Sequence, residues 1–138
     1  MSDVGEVTVK ISNESIYSFE SLCVWNKSRQ LVKVIYEITS DFPSEERFGL
    51  VSQMRRAAVS VSSNIAEGSS RWGNKDQARF YEISFGSLIE ILNQSILAHD
   101  LEFLRKAELE RVRNMIDEIA RMLNALHTSA KKKSKLIN

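Results

Sequence analysis

The sequence predicts an all-α protein, an up-down-up-down four-helix bundle that assembles into a cyclic homo-oligomer. Apolar residues recur at intervals of three and four through four separate stretches, the spacing of one buried helix face. The 138 residues include one proline and five glycines, so little interrupts long helices. The four stretches are of comparable length and joined by short connections, which makes consecutive helices antiparallel neighbours.

Residues 1–18 stand apart. Val7, Val9 and Ile11 alternate with polar residues, but no second strand candidate exists to pair with them, so a flexible N-terminal arm is expected. The bundle is expected over 19–128. Helix one is placed from Phe19 to Ser40, where Val24, Trp25, Leu31, Val32, Val34, Ile35, Tyr36 and Ile38 spread over roughly 200° of the helical wheel, wider than one buried face requires. Helix two is placed from Pro43, a residue suited to a first helical position, with Glu45 and Glu46 favourable near the positive end of the dipole. It is lined by the small residues Ala57, Ala58, Ser60, Ser62, Ser63 and Ala66 and stops at Gly68, read as a left-handed C-terminal cap.

Helix three is expected to begin at Asn74, with Gln77 completing a capping box, and to stop near Asp100. Its apolar side carries Phe80, Tyr81, Phe85, Leu88, Leu92 and Ile96. Helix four has the cleanest pattern: Leu109, Val112, Ile116, Ile119, Leu123 and Leu126 alternate steps of three and four, a seam of nearly three heptads. Beyond it, residues 129–138 carry Lys131, Lys132, Lys133 and Lys135 and read as a basic C-terminal tail.

Composition narrows the function classes. Hydrophobic residues at 43% and charged residues at 27% fit an ordinary globular protein. The single cysteine, Cys23, excludes an internal disulfide, and with no signal-like start a cytoplasmic location is expected. No apolar run approaches the ~20 residues of a membrane-spanning helix, so no membrane partner is expected. The net charge of +1 conceals an asymmetry. Residues 1–103 carry ten basic and fourteen acidic groups, a net of −4, whereas 104–138 carry nine and four, a net of +5. A uniformly basic nucleic-acid surface is not expected; a basic patch or end is.

Phe42-Pro43, Glu46, Leu50, Gln53, Arg55-Arg56-Ala57, Ser60, Asn64-Ile65-Ala66-Glu67-Gly68 and Arg71 form a recognisable pattern. Val24-Trp25, Ser28, Leu31 and Tyr36 extend it upstream, and Phe80, Gly86-Ser87 and Glu90 downstream. Over roughly Leu22 to Leu126 the chain resembles the four-helix-bundle family encoded in intervening sequences of large-subunit ribosomal RNA genes. That family also includes the accessory variability determinant of diversity-generating retroelements. The resemblance implies five-fold barrels of bundles, hence a homopentamer. It also implies an RNA-associated scaffold, with RNA or DNA or a protein such as a reverse transcriptase as partner.

Catalytic and metal chemistry find no support. Di-metal bundles use Glu-x-x-His pairs, but Ile96 and Asn124 stand three residues before His99 and His127. A hydrogen-bonded histidine near a helix end is the ordinary reading of His99. Cys23 has no activating base nearby in sequence, no serine occupies a nucleophile elbow, and Gly68 and Gly73 belong to no phosphate loop. No enzyme and no cofactor is therefore expected.

Glu67 lies in the last turn of its helix, where the dipole disfavours a carboxylate, so compensation is expected from Arg71, Arg56 or an arginine of a neighbouring subunit. With Asn64 and Gly68 it is read as a structural corner, beside the alternative of a ligand role. Arg55 and Arg56 point about 100° apart, so both cannot face one core. Arg71, Lys75 and Arg79 gather at the second corner, and Arg105 and Lys106 precede helix four. These residues, with the four terminal lysines, are the nucleic-acid-binding candidates, since guanidinium forks and ammonium groups suit phosphate. Arg55 and Arg56 can equally be ion-pair partners of Glu67 or of acids on another helix. The expected function is that of a non-enzymatic oligomeric accessory protein binding structured RNA. The rival is a protein–protein scaffold without nucleic-acid binding.

Overall fold

A computed structural model describes residues 17–137; most of the expected N-terminal arm lies outside the described residues. Four helices follow one another: α1 Cys23–Thr39, α2 Leu50–Ser69, α3 Asn74–Asp100 and α4 Lys106–Ile137. No strand occurs among the described residues. Each helix packs on its chain neighbours, α4 closes the ring against α1, and the diagonal pairs stay apart. The register is antiparallel throughout. Gly68 faces Phe80 while the Ser60 and Ser87 hydroxyls meet at 2.8 Å, and His127 on α4 reaches back to Glu82 on α3.

Leu31, Ile35, Met54, Val61, Ile65, Leu88, Ile91, Val112, Ile119 and Leu123 are fully enclosed and form the centre of the core. The seam expected on α4 is buried from Val112 to Leu123, with Leu109 and Leu126 packed at its margins. Helix one keeps most of its wide apolar arc inside. Val24, Leu31, Val34, Ile35 and Ile38 are buried, Trp25 and Val32 are half-buried, and only Tyr36 stays exposed.

Several helix ends differ from the sequence expectation. Helix one does not start at Phe19: Ser18–Ser21 form a 3₁₀ turn and α1 starts at Cys23. Helix two does not start at Pro43. Residues Ser44–Glu46 form a separate 3₁₀ turn, and α2 starts at Leu50 after Gly49. Glu46 still serves the helix: its Oε1 accepts the Leu50 N–H at 3.2 Å, supplying one acceptor that the first turn lacks. Gly68 is not a left-handed cap. It lies inside α2 and is buried, and no glycine among the described residues has positive φ. A Cβ at Gly68 would stand 2.9 Å from Phe80 Cβ and 3.0 Å from Tyr81 Cε1, so glycine is required by the close approach of α3.

The left-handed cap occurs at the end of α3 instead, on Glu102 with φ 67°. The Glu102 N–H reaches the His99 carbonyl and the Phe103 N–H reaches the Ala98 carbonyl, both at 2.9 Å, the paired bonds of a Schellman end. Helix three does begin at Asn74, but without a capping box. Gln77 reaches back past the N-cap and donates Nε2 to the Arg71 carbonyl at 3.1 Å. Finally, the basic segment expected as a separate tail is helical through Ile137. No glycine or proline follows Gly86, and buried Ala130 ties the first turn of this extension to the core.

Candidate nucleic-acid interface

The corner between α2 and α3 is held by a short series of bonds. Arg71 donates to Glu67 Oε2 at 2.9 Å and its guanidinium lies 4.5 Å from the centre of the Phe80 ring. Glu67 thus has the compensating arginine its place near the negative helix end calls for. Asn64 does not join this corner. Its Nδ2 donates one turn back to the Ser60 carbonyl at 2.9 Å and to Ser60 Oγ at 3.0 Å, within α2.

The adjacent arginines part company as their angular separation requires. Arg55 faces α1: its Nε donates to Thr39 Oγ1 at 2.9 Å, Nη2 reaches the Tyr36 carbonyl at 3.3 Å, and the guanidinium covers the Tyr36 ring at 4.5 Å. It therefore braces the α1 C-terminus, adding a second donor to the Tyr36 carbonyl, which also accepts the Ser40 N–H at 3.2 Å. Arg56 is exposed and makes no hydrogen bond or ion pair among the described residues. It borders a shallow groove between α2 and α3, with Gln53, Ser60 and Glu90. Arg55→Gln should lower stability by about 1–2 kcal/mol through the lost bonds and ring stacking. Arg56→Gln should stay within about 0.5 kcal/mol. Urea unfolding of the two variants checks this contrast.

Of the remaining basic candidates, Lys75, Arg79 and the four C-terminal lysines lie at one end of the bundle, where α2 ends, α3 begins and α4 finishes. Lys75, Arg79 and Lys131 border a hollow of about 520 Å³ together with Asp76 and Glu82. Glu82 is already engaged by His127 Nε2 at 2.6 Å, and neither Lys75 nor Arg79 has an ion-pair partner among the described residues. Lys132, Lys133 and Lys135 are exposed on the same stretch of α4. Arg105 and Lys106 lie at the opposite end. There Arg105 Nη2 pairs with Glu108 at 3.1 Å while its backbone N–H also bonds that carboxylate. These bonds from Arg105 hold the Glu108 carboxyl below its usual range.

Sequence reasoning did not single out Trp72. It occupies the four-residue α2–α3 connection and its side chain is fully exposed, at 101%. A lone tryptophan carries no periodic signal, so nothing in the pattern distinguishes a surface ring from a core one. On α3, Ile83, Ile89 and Leu97 are also exposed, at 42–48%, on a face shared with Gly86. A Cβ at Gly86 would have no neighbour within 4 Å.

Among the described residues no group of three or more His, Cys, Asp or Glu is placed to hold a metal ion, and no helix is long and apolar enough to cross a membrane. Cys23 is exposed and free. His99 Nδ1 bonds the Leu104 carbonyl at 2.9 Å and braces the α3–α4 corner.

The same architecture is found in the crystal structure of a protein of unknown function from the S23 ribosomal protein family of Bacteroides thetaiotaomicron. The superposition has a TM-score of 0.68 at 20% identity and covers 75% of this chain and 97% of that one. No curated protein matches the chain at a significant level. Residues 20–125, covering all of α1 to α3 and the buried part of the α4 seam, match the 23S rRNA-intervening sequence proteins, and the chain belongs to that family.

Proposed function

We propose that the protein is a non-enzymatic, oligomeric accessory protein that binds nucleic acid, structured RNA in particular, through a basic end repeated by symmetry. The observation that carries this reading is the meeting of Lys75, Arg79 and Lys131 at one hollow, beside the exposed Lys132, Lys133 and Lys135. Cations from two helices converge there on a chain whose net charge is only +1, so the positive potential is local. Arg56 belongs to a different face, and Arg55 and Arg71 act as structural residues. A gel shift with a structured RNA tests the reading. Binding should be present at low salt and fall steeply as salt approaches physiological strength. Absence of binding at low salt would refute it.

The oligomer rests on α3. Gly86 sits mid-helix on the surface, where glycine costs about 1 kcal/mol relative to alanine and no group of its own chain requires it. Exposed Ile83 and Ile89 flank it, a surface suited to the close approach of a helix from another copy. Light scattering behind size exclusion should report a multiple of 15.7 kDa, with five copies the number the family resemblance implies. I83E/I89E should reduce the mass to one copy. A concentration-independent monomer for the native chain would remove the repeated basic rim. The same apolar face favours the second reading, a protein scaffold, if RNA binding fails.

A further inference from the structure

We propose that Trp72 is a base-stacking platform, which makes the basic end a site for unpaired nucleotides of single-stranded RNA or DNA. The inference rests on the nucleic-acid reading above. Its starting point is how this chain treats its other aromatic rings. Arginines lie over Trp25, Phe48, Tyr36 and Phe80, and Trp25 is further packed edge-on by Phe19 at 4.8 Å. Among the described residues Trp72 has neither a ring nor a cation against it, and its side chain is fully exposed. Its sequence neighbour Arg71 is unavailable to cover it, being held by Glu67 and Phe80.

The ring is carried on a constrained backbone. The Arg71 N–H bonds the Gly68 carbonyl at 3.1 Å, Gln77 holds the Arg71 carbonyl, and the Gly73 carbonyl accepts the Gln77 N–H at 3.0 Å. Trp72 thus stands between two fixed residues, and ordering its two side-chain torsions against a ligand costs little. Lys75 follows by three residues and Arg79 by one further helical turn, with Lys131 across the hollow. Opposing charge comes from Asp76 and from Glu82, whose carboxylate is bonded by His127 Nε2, against the three cations Lys75, Arg79 and Lys131. An exposed aromatic face beside cations is the pairing that single strands require, since every base offers a π face and every nucleotide a phosphate. A duplex buries its base faces and would use the cations alone. In structured RNA the ligand would be a loop or bulge with splayed bases.

Trp72 and Trp25 are the two tryptophans of the chain, so emission reports on the site directly. The probes are a short oligo(U), the matching oligo(dT) and a blunt RNA duplex, titrated into the full chain and into W25F, W72A and W72F. Both single strands should quench emission in the native chain and in W25F, but not in W72A. W72A should bind single strands about 10-fold more weakly while duplex affinity changes less than about 2-fold, and W72F should recover most of the loss. The ratio of oligo(U) to oligo(dT) affinity assigns RNA or DNA as the source. Equal single-strand affinity of W72A and native protein would overturn the stacking role and leave the nucleic-acid reading standing. No binding of any probe would end both. A changed oligomer mass in W72A with unchanged affinities would place Trp72 in a protein contact and likewise overturn the proposal.

Discussion

Gly68→Val should destabilise the bundle by about 3 kcal/mol, and Gly68→Ala by about 1–2 kcal/mol. Alanine would ordinarily gain about 1 kcal/mol over glycine inside a helix, and here that gain is outweighed. The added Cβ must fit where Phe80 Cβ and Tyr81 Cε1 stand 2.9 and 3.0 Å away. Backbone-proximal atoms such as a Cβ cannot rotate aside, so α2 and α3 must separate locally and loosen the packing of Ile65 and Tyr81. Gly68→Asn separates this cause from a conformational one. At a left-handed cap asparagine is the mildest replacement, because its side chain tolerates positive φ. At a close approach it is worse than alanine, because it is larger. The expected order of cost is Ala, Asn, Val, read from urea unfolding at one protomer concentration, since assembly itself adds stability. Asparagine milder than alanine would contradict the close-approach account.

The helices themselves were largely legible, and for a common reason. Periodicity reports burial, and α4 buries the seam its spacing announces from Val112 to Leu123. The limits of α3, Asn74 and Asp100, agree with the expected ones, although the Gln77 capping box that suggested the start does not form. Ends governed by tertiary contact were not. Gly68 carries the residue type of a cap, but only the position of α3 shows that its missing side chain is what matters. Glu102 adopts the left-handed conformation with a residue that gives no hint of it, because the Schellman bonds of the α3 end impose it. Acids at Glu45 and Glu46 suggested a helix start at Pro43, whereas the helix begins about two turns later at Leu50 and recruits only Glu46.

The candidate site divides in the same way. Lys75 and Arg79 were visible as a cluster because they lie one turn apart, and Lys131 joins them through the antiparallel register of α3 and α4. Arg55 and Arg56 differ by about 100° of helical rotation, which told that their roles differ but not which one faces α1. The lysine run looked like a solvated tail because charge runs commonly are. Lysine is nevertheless a good helix former, and an anchored α4 can propagate through it without a new nucleation step.

That helical character changes what the lysines can do, and K131Q/K132Q/K133Q/K135Q measures it. On a mobile tail four equivalent ammonium groups would each release a counterion, and the log-affinity versus log-salt slope for a single strand would fall by about 3. On a helix, Lys131, Lys132 and Lys135 share about 100° of the surface, while Lys133 points about 100° beyond Lys132. Three of the four can then serve one ligand, so the slope should fall by about 2. The single variants sharpen the distinction: K132Q should lower the slope by about 0.7, and K133Q should leave it unchanged. Glutamine matches lysine in helix propensity, so circular dichroism should show no loss of helix in any variant. Equal effects of K132Q and K133Q would mean that the segment binds as a flexible tail. No change of slope in the quadruple variant would confine binding to Lys75 and Arg79, leaving the end of α4 without a part in it.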